Sequence, residues 1–521
     1  MDENFTFGQP TMFDPMDHYK FSADSMQLAE KGGIVNDQQE LSSFDLGILD
    51  DDYFLNKVSP PSFGILNNYG GGGFRRIKKI PTSNHEKNTL LCSKGKSKST
   101  EEIIRLAGER FLHSSSSQII EDLSLLSHHP YGSSFFELSS DEIKDVELIH
   151  NLLASAEKVG QQQFDRARKL LDQFDHLCSG EANPVQRIAH YFSKALLHKI
   201  DCETGRIGSK KSILLNLDEV SMSTKPAVIA FHQDVPFSQV LQFAGMQAII
   251  ENMSNAKRVH VIELGIRSGV QLTVLMQAFA ARVEPRVELL KITAVSTKPK
   301  SEIEGVGKWL TGFAESFSLP FRFNVVTVSD MFDLTEDLFE VDDEESVAVH
   351  SPFFLWSMIG RPDRLQNLMK VVSSLNPCVM LVNEVEGNLN SPVFVNRFVE
   401  SLFYYGALFD SLGDCMSQNG ENRLVMESEY FGKAIWNIVV AEGDERVIRH
   451  VNLNVWRAFF SRFGMEEMEL SMASLYQANL VVKKFDCGSS CTLDLDGKCL
   501  IAGWKGTPMH SLSVWKFGLD N

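Results

Sequence analysis

Apolar positions recur at three- and four-residue intervals from residue 141 onwards. Ile143, Val146, Ile149, Leu152 and Leu153 follow Ser139-Ser140-Asp141, a polar run suited to capping, and together predict a helix. Phe164, Ala167, Leu170, Leu171 and Phe174 mark a second helical face. A third begins near Pro184 and carries Ile188, Tyr191, Phe192, Ala195 and Leu196. Gly160, Gly180 and Pro184 interrupt the leucine-rich spacing within a few heptads, which favours a packed bundle over an intermolecular coiled coil. Residues 199–224 lose the period and read as a loop, and helix resumes over 236–251 with Val240, Leu241, Ala244, Ala248 and Ile249.

From Lys257 the pattern becomes strand, glycine turn, helix. Val259, His260, Val261, Ile262 and Glu263 form a strand, Gly265 and Gly269 fall in the turn, and 270–282 is apolar and helical. Strand-like runs at 289–295, 321–328, 346–350 and 378–382 alternate with helical spans near 303–317, 363–375 and 393–412. Such alternation predicts a mostly parallel sheet covered by helices on both faces. The closely spaced runs 478–485, 499–502 and 512–517 predict antiparallel strands added at the C-terminal edge. The fold class expected is α/β: a Rossmann-like, methyltransferase-like core over 257–521 with an α-helical cap over 140–256.

Residues 1–139 show no sustained period beyond a short helix near 101–111, and the expectation is a disordered N-terminal arm. Its first 60 residues hold 12 acidic and 3 basic side chains. Within them, 44–55 interleaves acids with Phe44, Leu46, Ile48, Leu49, Tyr53, Phe54 and Leu55, a pattern that docks on partner grooves. The sign then reverses, and Arg75, Arg76, Lys78 and Lys79 open a basic island after the run Gly70 to Gly73. Two short basic clusters suit an importin groove, so the predicted location is the nucleus.

Fifty Lys and Arg against 68 Asp and Glu give a net charge of −18, which argues against coating nucleic acid through bulk charge. Eight cysteines at irregular spacing give no disulfide framework and suit a reducing compartment. The most apolar stretch, 270–281, is too short to span a bilayer, so no membrane role is expected.

An acid ending the first strand before a glycine turn is how Rossmann-like proteins hold a nucleotide or S-adenosylmethionine. Two features oppose that use. Arg267 stands where such a turn has its middle glycine, and the second strand ends Thr293-Ala294-Val295-Ser296-Thr297-Lys298 without a carboxylate for ribose hydroxyls. S-adenosylmethionine-dependent methyl transfer is therefore a remote alternative, and no cofactor is expected. Cys487, Cys491, Cys499 and His510 offer zinc-type donors at spacings that match no knuckle, so no metal site is predicted. His260 reads as a core histidine, no catalytic triad is visible, and Trp504 and Trp515 are expected to pack the last strands onto the core.

Val259-His260-Val261-Ile262-Glu263 resembles the Val-His-Ile-Ile-Asp signature of the plant GRAS family. Further blocks fall in that family's order across 141–518. Residues 141–197 resemble its first leucine-rich region, and 365–375 lies where its second falls. Residues 398–412 resemble the block known as PFYRE, and Glu445-Arg446-Val447-Ile448-Arg449 with Trp456 resembles the Arg-Val-Glu-Arg region, Ile448 replacing its glutamate. Gly503-Trp504 and Leu512-Ser513-Val514-Trp515 resemble the terminal SAW block.

The resemblance implies a Rossmann-like core, a helical cap, no specific enzyme activity and regulation of transcription in the plant nucleus. The partners expected are DNA-binding transcription factors and other GRAS proteins, as homo- or heterodimer. The function read from this is a co-regulator or scaffold in development or symbiosis signalling, with direct sequence-specific DNA binding as the alternative. No Asp-Glu-Leu-Leu-Ala segment stands near the N-terminus, so the gibberellin-linked degradation of the DELLA subfamily is not carried over. The form Leu264-Gly265-Ile266-Arg267-Ser268-Gly269-Val270-Gln271 resembles a clade tied to arbuscular mycorrhizal symbiosis.

Overall fold

The computed structural model describes residues 98–116, 138–174, 182–206 and 226–518. The acidic segment and the basic island of Arg75, Arg76, Lys78 and Lys79 lie outside the described residues.

The chain first lays down helices: α1 (Thr100–Ser116), α2 (Ser140–Gly160), α3 (Phe164–Leu171), α4 (Pro184–Glu203), α5 (Pro226–Asp234) and α6 (Pro236–Asn252). Ser139 caps α2 in a reciprocal box with Glu142, whose carboxylate also accepts the Lys98 amide at 2.7 Å. Asn183 caps α4, with Pro184 at the first helical position.

The parallel core follows as β1 (Arg258–Leu264), α7 (Val270–Ala281), β2 (Leu289–Ser296), α8 (Lys300–Ser316), β3 (Phe321–Thr327), β4 (Glu345–Pro352), α9 (Pro362–Ser374) and β5 (Val379–Val385). The long α10 (Phe394–Cys415) leads to α11 (Gly420–Val425), a π-helical turn over Met426–Phe431, α12 (Gly432–Val440) and α13 (Leu453–Ser461). The chain closes with β6 (Met465–Met468), α14 (Met472–Lys484), β7 (Cys491–Asp496), β8 (Cys499–Trp504) and β9 (Thr507–Phe517). Strand order is β3-β2-β1-β4-β5-β9-β8-β7, parallel through β5 and antiparallel beyond it, with β6 on the far half of β9. This is the α/β Rossmann-like architecture expected. The central strands are buried on both faces, as a position between two helical layers requires.

Four boundaries differ from expectation. The folded unit begins well before residue 140. Ile103, Ile104, Leu106, Ala107 and Phe111 of α1 are buried, and Ile104 lies against Gly406 of α10, where a Cβ would collide with it. The run 478–485, expected as a strand, belongs to α14; Ser474, Ala478 and Val481 are its buried face at helical spacing, and two adjacent valines imitated a strand. A strand at 491–496 pairs β8 and was not foreseen. Residues 199–203, expected as the start of a loop, belong to α4, and 207–224 lie outside the described residues.

The cap is also assembled differently. Helix α6 leaves it for the sheet, with Gly245 against Leu381 and Leu512. The later helices α10 and α12 join it instead, with the Arg187 guanidinium of α4 donating to the Phe409 carbonyl at 3.1 Å and paired with Glu427 at 3.0 Å. Hydrophobic burial across these elements overrode the sequential division.

Candidate functional site

The strand period sends the two polar side chains of β1 to opposite faces of the sheet. His260 meets Thr293 Oγ1 at 2.7 Å and stands 3.0 Å from Glu345, which Lys291 also approaches at 3.2 Å. Burial, reinforced by the Lys291 charge, pushes the His260 imidazole down to about 4, so it is neutral near pH 7. On the other face Glu263 is bonded by His350 Nδ1 at 2.7 Å and by the Gln271 amide at 2.8 Å. Val259, His260, Val261, Ile262 and Glu263 are each 1% exposed or less. They meet no solvent, and what they touch is the neighbouring strands and α7.

The turn after β1 does reach the surface. Gly265 and Gly269 take positive φ, and a side chain on Gly265 would run into the Phe354 ring. Between them Arg267 donates to the Phe353 carbonyl at 3.2 Å and lies 5.8 Å from the Phe353 ring centre. Arg267 thus bridges the ends of β1 and β4, the point where strand order reverses and ligands bind in open α/β sheets. Past β2, which ends at Ser296, the Lys298 amide folds back onto Ser296 Oγ at 3.0 Å, and no carboxylate stands at the strand end.

A cleft of about 420 Å³ opens there, over the carboxyl ends of β1, β2, β3 and β4. Six cationic residues line it, Arg267, Lys298, Arg361, Arg364, Arg446 and Arg449, against two acids, Asp330 and Asp444. Asp330 is engaged by Arg364 in a bidentate pair, whose hydrogen bonds hold its carboxyl down to about 2. Asn437 fixes the loop that brings in the later arginines, accepting the Val447 and Ile448 amides at 3.0 Å. Arg449 is then held by the Arg446 and Gly443 carbonyls at 2.9 and 2.7 Å and by Asn390 at 3.1 Å. Phe353, Phe354, Trp356 and Met358 supply an apolar part of the lining. Beneath it Glu384 accepts the Leu355 and Trp356 amides at 2.9 and 3.3 Å. Burial raises its carboxyl to about 8.

Of the residues singled out in the sequence, Gly265 and Arg267 line this cleft, while Gly269 starts α7 and faces Val306 and Leu310. Sequence reasoning missed Arg361 and Arg364, which flank Pro362 and Asp363 at the start of α9, and gave Arg446 and Arg449 no role beyond a matching block. The visible signal was arginine recurring at three-residue spacing in both loops.

Trp504 donates its indole N–H to Asp410 at 2.7 Å, and Trp515 donates to Ser513 at 2.8 Å with its ring 4.7 Å from that of Phe460. Cys491 and Cys499 sit at opposite ends of the paired strands β7 and β8, across from Trp504 and Asp496 respectively. Cys487 lies 2.6 Å from Cys415, and His510 packs between Phe237 and Phe353. These four donors do not converge. Among the described residues no helix is long and apolar enough to cross a membrane.

Residues 148–516 match the GRAS domain family. The chain is 32% identical over 374 residues to the DELLA protein GAI1 of Vitis vinifera, covering 71% of this chain and 62% of that protein. It is 32% identical over 375 residues to the DELLA protein RGA of Arabidopsis thaliana, with the same shares of 71% and 62%. The chain therefore spans a little under two thirds of the length of these relatives. Among solved structures, SCL7 of Oryza sativa is similar with a TM-score of 0.61 at 24% identity, covering 71% of this chain and 99% of that one. That likeness is one of fold.

Proposed function

Given that the chain belongs to the GRAS domain family, we propose that it regulates transcription in the plant nucleus as a co-regulator that joins DNA-binding factors, or a second GRAS chain, to the transcription machinery. The observation that carries a binding role over a methyl-transfer role is the state of the switch-point crevice. Arg267 occupies the turn and the end of β2 carries no ribose-binding acid, so contacts an adenosyl cofactor needs are missing. A net charge of −18 supports delegation of DNA recognition to a partner. The acidic-hydrophobic segment 44–55 is the recruiting element in this reading, and Arg75, Arg76, Lys78 and Lys79 direct nuclear import. The turn Leu264 to Gln271 supports placement outside the DELLA subfamily, in symbiosis signalling.

Selection from a random duplex pool tests the central claim. The full chain alone should enrich no motif, and one should emerge when a DNA-binding partner is added. Enrichment by the chain alone would make it a DNA-binding factor in its own right. Deleting residues 1–60 should lower reporter activation and leave partner capture intact. Replacing Arg75, Arg76, Lys78 and Lys79 together by Ala should shift a fluorescent fusion to the cytoplasm.

A further inference from the structure

We propose that Cys415 and Cys487 form a reversible disulfide when the chain meets a peroxide, tying the C-terminal end of α10 to the turn that follows α14. The two residues lie 72 apart in sequence, yet their sulfurs are in contact at 2.6 Å. Cys415 is the last residue of α10, and Cys487 stands in the short helical turn Asp486–Ser490 between α14 and β7. Both elements are held in place by other contacts, α10 by α1 and α4, and α14 by α6. Bridging the pair therefore requires no approach of the two elements, only adjustment of two side chains. Both thiols are half-buried and follow exposed acids, Asp414 and Asp486, so a small oxidant can reach them from solvent.

The contact also assigns the two roles. The Cys415 thiol donates to the Cys487 sulfur, which holds the Cys487 thiol below its ordinary range and, together with burial, pushes Cys415 up. Cys487 is thus the nucleophile and Cys415 the resolving thiol. After Cys487 gives up its proton, its thiolate attacks one oxygen of hydrogen peroxide, the O–O bond breaks and hydroxide leaves, giving a sulfenic acid. That hydroxide takes the Cys415 proton, the Cys415 thiolate attacks the Cys487 sulfur, the S–O bond breaks and the S–S bond forms. The departing hydroxide takes up the proton that Cys487 first released. The two sulfurs lose two electrons, peroxide gains them, and two waters result. Glutathione-type thiols reverse the step by exchange, so in a reducing compartment the pair rests as thiols and closes only when peroxide outpaces that pool. This reading is independent of the proposed transcriptional role.

Treating the reduced full chain with a slight excess of hydrogen peroxide and mapping its peptides without reduction tests this. A cross-link between Cys415 and Cys487 is expected within one chain and is reversed by dithiothreitol. The oxidised form should have a urea midpoint higher by about 0.5–1 M, since a long loop is closed in its unfolded chain. Cys415→Ser should stop at a Cys487 sulfenic acid trapped by dimedone, and Cys487→Ser should leave Cys415 a thiol. Cys378→Ser, at an exposed cysteine just before β5, should leave the cross-link unchanged. Mapping reads the unmutated chain directly, so the outcome does not depend on the variants folding. Four results would each overturn the proposal: Cys415 and Cys487 both recovered as thiols after Cys378 has been oxidised, Cys487 joined to Cys491 instead, a bond formed only between two chains, or loss of the cross-link in Cys378→Ser.

Discussion

Trp504, at the end of β8, donates its indole N–H to Asp410 in the C-terminal part of α10 at 2.7 Å, 94 residues away in sequence. The same carboxylate accepts Thr100 Oγ1 at 2.9 Å and pairs with Lys505 at 2.6 Å. One buried acid therefore ties the first turn of α1, the central cap helix and the last hairpin of the sheet.

Asp410→Ala leaves the Trp504 N–H and the Thr100 hydroxyl without their acceptor. The expected cost is about 2–3 kcal/mol, the range for hydrogen bonds to a buried charged group. Asp410→Asn, which keeps one acceptor oxygen, should cost less. Urea unfolding of the full chain checks the ranking, and an unchanged midpoint for Asp410→Ala would deny the junction any role in stability.

Helix α1 makes a related prediction. Ile104 is fully buried against Gly406, so Ile104→Ala should destabilise by about 2–5 kcal/mol. A fragment starting at residue 140 should unfold at lower urea than one starting at 98. Equal midpoints would mean that α1 is a dispensable appendage.

How far the sequence was legible can be judged from these elements. The strand of Val259 to Glu263 and the helix after its turn were visible because a β-branched run, a glycine turn and an apolar helical stretch follow one another directly. The role of α1 was not, because its apolar face has meaning only against α2 and against α10, the latter some 300 residues later. Helix α14 was misread for a different reason. Its valines satisfy strand propensity locally, and only burial of Ser474, Ala478 and Val481 on one side decides for helix. The turn of Arg267 could be located, but the cleft could not: Arg361 and Arg364 stand at the start of α9, Arg446 and Arg449 in the loop before α13, and the sheet order alone brings them together.

Glu384 gives the molecule a pH dependence with a defined sign. Its folded pKa of about 8 lies above the roughly 4.3 of an unfolded glutamate, so the native state holds the proton more tightly. The resulting stabilisation is complete below the unfolded value and is lost as pH rises through about 8. Glu384→Gln retains an oxygen to accept the Leu355 and Trp356 amides and cannot ionise. Its stability relative to the parent should therefore improve between pH 5.5 and 8.5, measured by urea midpoints. A constant difference across that range would show that Glu384 is ionised throughout.

Arg187 and Glu427 form an ion pair between α4 and the π-helical turn, with side chains 7% and 1% exposed. Burial raises the Glu427 carboxyl, and the Arg187 and Arg423 charges oppose that rise. Arg187→Met removes one counter-charge from an acid that water cannot reach, a cost of about 3–5 kcal/mol when a buried pair is broken. The double variant with Glu427→Gln should recover part of it. Thermal unfolding of the two variants decides, and additive losses would mean the pair is not coupled.

Partner binding by the leucine-rich helix α2 can be separated from folding by which side of the helix is changed. Leu152 and Leu153 are fully buried inside the domain, while Ile143 on the same helix is 47% exposed. Leu152→Ala should cost about 2–5 kcal/mol through the cavity it leaves, and any loss of partner capture should track loss of helix content by circular dichroism. Ile143→Asp should change stability by about 0.5 kcal/mol or less, since the residue is largely in water. If this helix docks a partner, Ile143→Asp lowers capture with the fold intact. Should Ile143→Asp bind normally while Leu152→Ala loses binding with full helicity, the interior packing of Leu152 would be wrong, because a side chain enclosed in a core cannot report on a partner except through the fold.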